Sequence, residues 1–241
     1  MQQDRDNIQA WADVYEDYIL YRSSAGDCVL NLTCTSPSTY KKAVWYWTSQ
    51  SSDQENKQIA FAIQDGNVTI DTSDFRNRMK PAAIYFDGSI FCLQIEPVLF
   101  EDAGDFACYF EKTKAKERTA IILITIKVTA EFRMAPVEGN SVTLTCSVSK
   151  DSKGLRLIWL GNDNKTIIKE KILSGQEREL RLFIQNVRKD EHSRMCVALQ
   201  DNLPRAVIPY DLKVKEGGLG HTMRKILTVI IISLRLMLLI L

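Results

Sequence analysis

Between Glu101 and Cys108 the chain reads Glu-Asp-Ala-Gly-Asp-Phe-Ala-Cys, and no other stretch limits its fold as tightly. Asp102, Gly104, Phe106 and Cys108 fall on every second position. That is the period at which a β-strand returns its side chains to one face. Phe106 and Cys108 then point into a core, and Gly104 permits the tight corner before them. The same alternation runs from Gly26 to Cys34, with Leu30, Leu32 and Cys34 on one face. Val44-Trp45-Tyr46-Trp47 follows a polar loop and sets Trp45 and Trp47 on a shared face.

The pattern Asp-x-Gly-x-aromatic-x-Cys resembles the corner before strand F of an immunoglobulin-type sandwich, where a tyrosine usually holds the aromatic place. With Phe106 there, the ring packs but no hydroxyl reaches back to the backbone. Gly26–Cys34 is similar to strand B of that family and Val44–Trp47 to strand C. The resemblance implies a Cys34–Cys108 disulfide covered by Trp45 or Trp47, and Trp45 followed by Tyr46 matches the family's Trp-Tyr pairing better. The two cysteines lie 74 positions apart, which leaves room for extra strands and resembles a variable-type domain over residues 14–128. Expected within it are an edge strand at 14–24, a strand at Ile59–Ile63 and a turn at Asp65-Gly66. Strand E is expected at Ile90–Ile95, and strand G at Ala120–Val128, apolar enough that its outer face needs a cover. Arg78-Met79 lies where variable-type domains carry Arg-Phe, so the resemblance implies pairing of Arg78, or of nearby Arg76, with Asp102.

From Glu131 the pattern starts again. Val137–Cys146 repeats the strand B signature, Trp159 follows, and Leu180, Leu182 and Ile184 alternate as strand E. The resemblance implies a Cys146–Cys196 disulfide, 50 positions apart, in a constant-type sandwich of about seven strands over 129–215. The second corner keeps Asp190, while His192 and Arg194 replace the glycine and the aromatic. The expected fold class is therefore all-β: two tandem immunoglobulin-like β-sandwiches, followed by a C-terminal hydrophobic membrane segment. Six dispersed cysteines without a Cys-x-x-Cys pair fit disulfides in an oxidising compartment, not zinc or redox chemistry. Cys28 and Cys92 are left over. Antiparallel pairing of strands B and E sets Cys28 opposite residues near Pro97, which argues against a bond to Cys92. An intradomain bond, free thiols and an interchain bond joining a homo- or heterodimer all stay open.

Residues 1–13 read as an unstructured N-terminus, and Met1–Ala10 has no apolar run, so a signal peptide is expected to be missing from the chain. Residues 216–225 form a small, polar, then basic link, and 226–241 run apolar around Arg235. A helix of that length reaches about 24 Å, against a hydrocarbon core of about 30 Å. Three readings compete: a transmembrane helix completed by further residues, a glycolipid-anchor signal cleaved near Gly217-Gly218, and pairing of Arg235 with an acidic residue of an adaptor subunit. The last resembles activating immune receptors of the superfamily.

A net charge of +1 favours neither nucleic acid nor an anionic surface, and two histidines offer no metal or catalytic centre. No nucleophile elbow, phosphate loop or zinc-protease pattern occurs, so neither an enzyme nor a cofactor is expected. Three sequons begin at Asn31, Asn67 and Asn164, of which Asn164 sits in the most turn-rich stretch. The loop between strands F and G carries Lys112, Lys114, Lys116 and Arg118. It reads either as a solvated hairpin tip or as a ligand-contacting loop for an acidic partner. By resemblance, the chain is expected to be a glycoprotein of the cell membrane, facing outward, that binds a protein ligand on another cell or in solution in adhesion or immune recognition. The rival is a receptor signalling through an adaptor, or a non-signalling anchored or decoy protein.

Overall fold

Alternation decides the layers. In the computed structural model, which describes residues 18–24, 28–50, 55–71, 74–75, 77–83, 85–112, 115–132, 137–150, 154–188 and 193–214, strand β2 (Leu30–Thr35) buries Leu30, Leu32 and Cys34 and exposes Asn31 and Thr35. It pairs with β7 (Ile90–Ile95), and β7 with β6 (Met79–Pro81), giving a three-stranded sheet. The facing sheet runs β9 (Ala115–Phe132), β8 (Gly104–Lys112), β3 (Lys42–Ser49), β4 (Asn56–Ile63), β5 (Val68–Ile70). Strand β1 (Tyr18–Ser23) adds to it parallel to β9. Two strands beyond β3 on the five-strand path make the variable-type arrangement.

Between these sheets Cys34 and Cys108 are bonded, with Trp45 opposite Cys108 in register and its indole N–H donating to Phe91 O at 3.2 Å. Trp47 shares that buried face one pair further along, opposite Phe106, and packs edge-on to Phe75.

The second sandwich repeats the device. Strand β10 (Val142–Val148) lies between β9 and β13 (Glu179–Ile184), and the facing sheet runs β12 (Ile167–Ile172), β11 (Arg156–Leu160), β14 (Ser193–Gln200), β15 (Leu203–Asp211). Cys146 is bonded to Cys196, Trp159 lies opposite Cys196, and the Trp159 indole donates to Leu180 O at 3.1 Å. Its strand order differs from that expected of a constant-type domain, which sets the fourth strand beside strand E. Here β12 pairs with β11 instead. The cause is local: Gly161 N–H bonds Thr166 O, and Asp163 accepts from the Lys165 and Thr166 N–H groups, so the chain folds back as a hairpin onto β11.

No linker separates the sandwiches. Strand β9 runs through both, pairing with β8 over Ala115–Leu123 and with β10 over Ile126–Phe132. Its odd residues Ile121 and Leu123 enter the first core, while its even residues Ile124 and Ile126 enter the second, with Ile122, Val128 and Ala130 packed against that same core. The apolar outer face is thus covered by the second domain. A boundary between 128 and 129 falls inside this strand and assigns to the first domain residues whose side chains serve the second. Tyr21 of β1 also sits in the second core and donates to Gln200 Oε1 at 3.2 Å. Thr125 ties the junction, its hydroxyl donating to Phe100 O and its N–H to Ser149 Oγ.

Candidate recognition surface

The corner before β8 fixes the strand from which the surface is built. Arg78 meets Asp102, with Nη1 and Nη2 donating to the two carboxylate oxygens at 2.6 and 2.7 Å, while Arg76 lies outside the described residues. Nη1 also donates to Pro97 O at 2.7 Å, and Asp102 accepts the Leu99 N–H at 2.7 Å. Hydrogen bonding to Asp102 raises the Arg78 pKa above its ordinary value, against the opposing pull of burial. At Gly104 any Cβ would collide with the Trp47 indole nitrogen and the Thr48 carbonyl, so the strand can approach β3 there only without a side chain. Phe106 is fully buried, in contact with Trp47 and Phe75.

With the odd-numbered residues of β3 and the even-numbered residues of β8 turned inward, the opposite parity forms the outer face of the five-stranded path. Its central row runs Thr69, Phe61, Val44, Tyr109 and the register position of Arg118. The next row sets Tyr46 between Gln58 and Ala107. Tyr46 and Tyr109 meet edge to face, ring centroids 5.8 Å apart, and Val44 is wholly covered although it lies on the outer side of the sheet. On one flank Lys42 pairs with Glu111 at 3.9 Å. The result is an apolar and aromatic centre with a polar margin, the anatomy of a protein-binding patch. Tyr46, Tyr109 and Phe61 escape a reading of isolated motifs. The signal for Tyr46 lies in its place between two inward tryptophans; Tyr109 joins it only through the β3–β8 register.

Strand β9 places Lys116 opposite Glu111 and Arg118 opposite Tyr109, while Lys112 pairs with Ala115 on the other parity. Lys114 lies outside the described residues, as do Asp190, His192, Arg235 and the segments 1–13 and 216–241. Among the described residues no helix is long and apolar enough to cross a membrane. Arg194 is buried at the aromatic's place in the second corner, its guanidinium bonded to the Asn162 side chain and to Ser193 O. Cys28 and Cys92 are unbonded and partly exposed. Leu30 pairs with Ile95 and Thr33 with Cys92, which carries Cys28 beside Pro97 and away from Cys92. All three sequon asparagines are exposed: Asn31 on the outer side of β2, Asn67 beside the Asp65-Gly66 turn, and Asn164 in its hairpin turn with φ 55°. Among the described residues no group of three or more His, Cys, Asp or Glu is placed to hold a metal.

An immunoglobulin domain family model matches residues 137–205. A CXADR-like membrane protein of Xenopus tropicalis is 22% identical over 180 residues, covering 70% of this chain and 52% of its own length. The chain therefore spans about half the length of that relative. Among solved structures, domains 3 and 4 of rat CD4 share the fold with a TM-score of 0.59 at 15% identity, covering 81% of this chain and 99% of theirs. The extracellular portion of mouse CD200RLa matches more loosely, with a TM-score of 0.43 at 10% identity over 84% of this chain and 100% of that one. Residues 137–205 thus carry an immunoglobulin domain, and the two sandwiches share the immunoglobulin fold. The chain is similar to a membrane protein.

Proposed function

We propose that the chain is a cell-surface recognition glycoprotein that binds another protein through the outer face of its first sandwich, a binding role and not a catalytic one. The observation that carries this reading is the Tyr46–Tyr109 pair with Phe61 and Val44, at the centre of a sheet face whose charges stand at the margin. Tyrosines in such a setting supply large contact area at low entropic cost. Lys116 and Arg118 extend the margin in register and suit a partner with acidic groups beside its apolar centre. A glycan on Asn31 would cover the opposite sheet and leave this face open. Membrane attachment through residues 226–241 accords with the relative being a membrane protein. Domain limits near 14–128 and 129–215 serve as a working division, with β9 shared between the two.

The test is a panel of soluble cell-surface ectodomains offered to cells that display the full chain. A binder should lose at least tenfold in affinity to Tyr46→Ser/Tyr109→Ser, and keep it with Lys80→Glu on the opposite sheet. Undiminished binding by the double variant rejects this face.

A further inference from the structure

A second surface breaks the rule that the solvent side of an antiparallel sheet alternates to polar residues. In the sheet β12-β11-β14-β15 the inner parity carries Leu157, Trp159, Cys196, Ala198 and Ile208 into the core. The outer parity is apolar too. One row sets Leu160 opposite Met195 and Met195 opposite Pro209, with Ile167 beside Leu160. The next sets Glu170 opposite Ile158, Ile158 opposite Val197 and Val197 opposite Val207. Ile168, Ile172 and Val207 are 44%, 64% and 47% exposed, and Ile158 and Val197 form the floor between them. The charges are spent or marginal. Arg156 pairs with Glu170 at 3.6 Å and donates to Asn202 at 3.2 Å, while Arg205 stands at the irregularity of edge strand β15.

From this plate we infer that a second copy of this chain docks here, second domain against second domain. Two features of the plate choose the copy over an unlike partner. An isologous contact sets a face against itself, so any unpaired charge at its centre would meet its own kind. The one charge in the two central rows is Glu170, at their β12 end, and Arg156 neutralises it. Interfaces between identical subunits are also the more apolar class, with charge depleted from their centre. The first domain's face, flanked by Lys42 and Glu111, has the opposite character. Four strands spaced about 4.8 Å apart and some six residues long offer on the order of 400 Å² of projected area, before side-chain relief. A standard interface takes about 800 Å² from each partner, so the dimer is weak and reversible.

The test places benzoylphenylalanine in the purified full chain, in mild detergent, at position 207 or, as a control on the first domain's opposite sheet, at position 80. The inference expects a photoproduct of twice the chain mass from position 207 and none from position 80. Ile172→Lys should reduce that product at least fivefold. So should Ile172→Thr/Ile168→Thr, which keeps β-branching and serves if the lysine variant misfolds. Equal products from both positions would assign association to the apolar tail and overturn the inference. So would no product from position 207, a product of any other mass, or one insensitive to both variants.

Discussion

Arg78 clamps Asp102 through both terminal nitrogens, with the aspartate 3% and the arginine 13% exposed. Through Asp102 the pair also holds the Leu99 N–H, so the short turn Phe100–Asp102 hangs from one carboxylate. Removing one member leaves the other charged and buried, which costs about 3–5 kcal/mol. Arg78→Ala and Asp102→Ala should each destabilise the first domain by a comparable amount, read as a lower unfolding midpoint in urea. Arg78→Ala/Asp102→Ala should cost less than the sum of the separate losses, because it leaves no orphan charge. Full additivity in that cycle would show that the pair is not coupled.

The thiol arithmetic follows from register. Cys28 lies beside Pro97 and Cys92 opposite Thr33, so a bond between them would need a shift of the whole β2–β7 ladder. Alkylation under denaturing, non-reducing conditions should therefore add two labels per chain, at Cys28 and Cys92, and leave the other four cysteines unlabelled. A chain that takes no label would carry a third bond.

Much of this is legible in the sequence alone, because alternation and the Cys-Trp-Cys spacing are local signals. Leu30, Leu32 and Cys34 lie inward where their period puts them, and the same register arithmetic placed Cys28 near Pro97. What sequence could not divide was β9. A run such as Ile121-Ile122-Leu123-Ile124 is apolar on both sides, and only tertiary packing decides which core receives each side chain. The position of β12 was equally hidden, since it depends on the hydrogen bonds of one hairpin turn. So was the recognition face: Tyr109 and Phe61 meet Val44 only because β3 lies between β8 and β4.

That hairpin turn makes a pH prediction. The Asp163 carboxylate accepts from the Thr166 hydroxyl and from the Thr166 and Lys165 N–H groups, which hold its pKa down to about 2. An aspartate ionises near 3.9 in an unfolded chain. The folded value is the lower one, so the turn's contribution is present above about pH 4 and fades as pH falls toward 2. Carbon-13 titration of the Asp163 carboxyl, on unglycosylated protein, should show a midpoint about 2, moving upward in Thr166→Val. A wild-type midpoint near 4 would mean that these bonds do not form in solution.

The shared strand yields the sharpest contrast. Leu123 and Ile124 are adjacent, both buried, and belong to different cores. Truncation of a buried Leu or Ile to Ala costs about 2–5 kcal/mol, through lost burial and the cavity left behind. Leu123→Ala should therefore weaken hydrogen-exchange protection around β2, β3 and β8, while Ile124→Ala should weaken it around β10, β11 and β14. Each variant should leave the other domain's most protected amides nearly unchanged, except where β9 itself frays. If either change lowered protection equally in both sandwiches, the two cores would unfold as one cooperative unit. Strand β9 would then couple them energetically as well as covalently. The measurement thus separates a strand that merely passes between two domains from one that makes them a single folding unit.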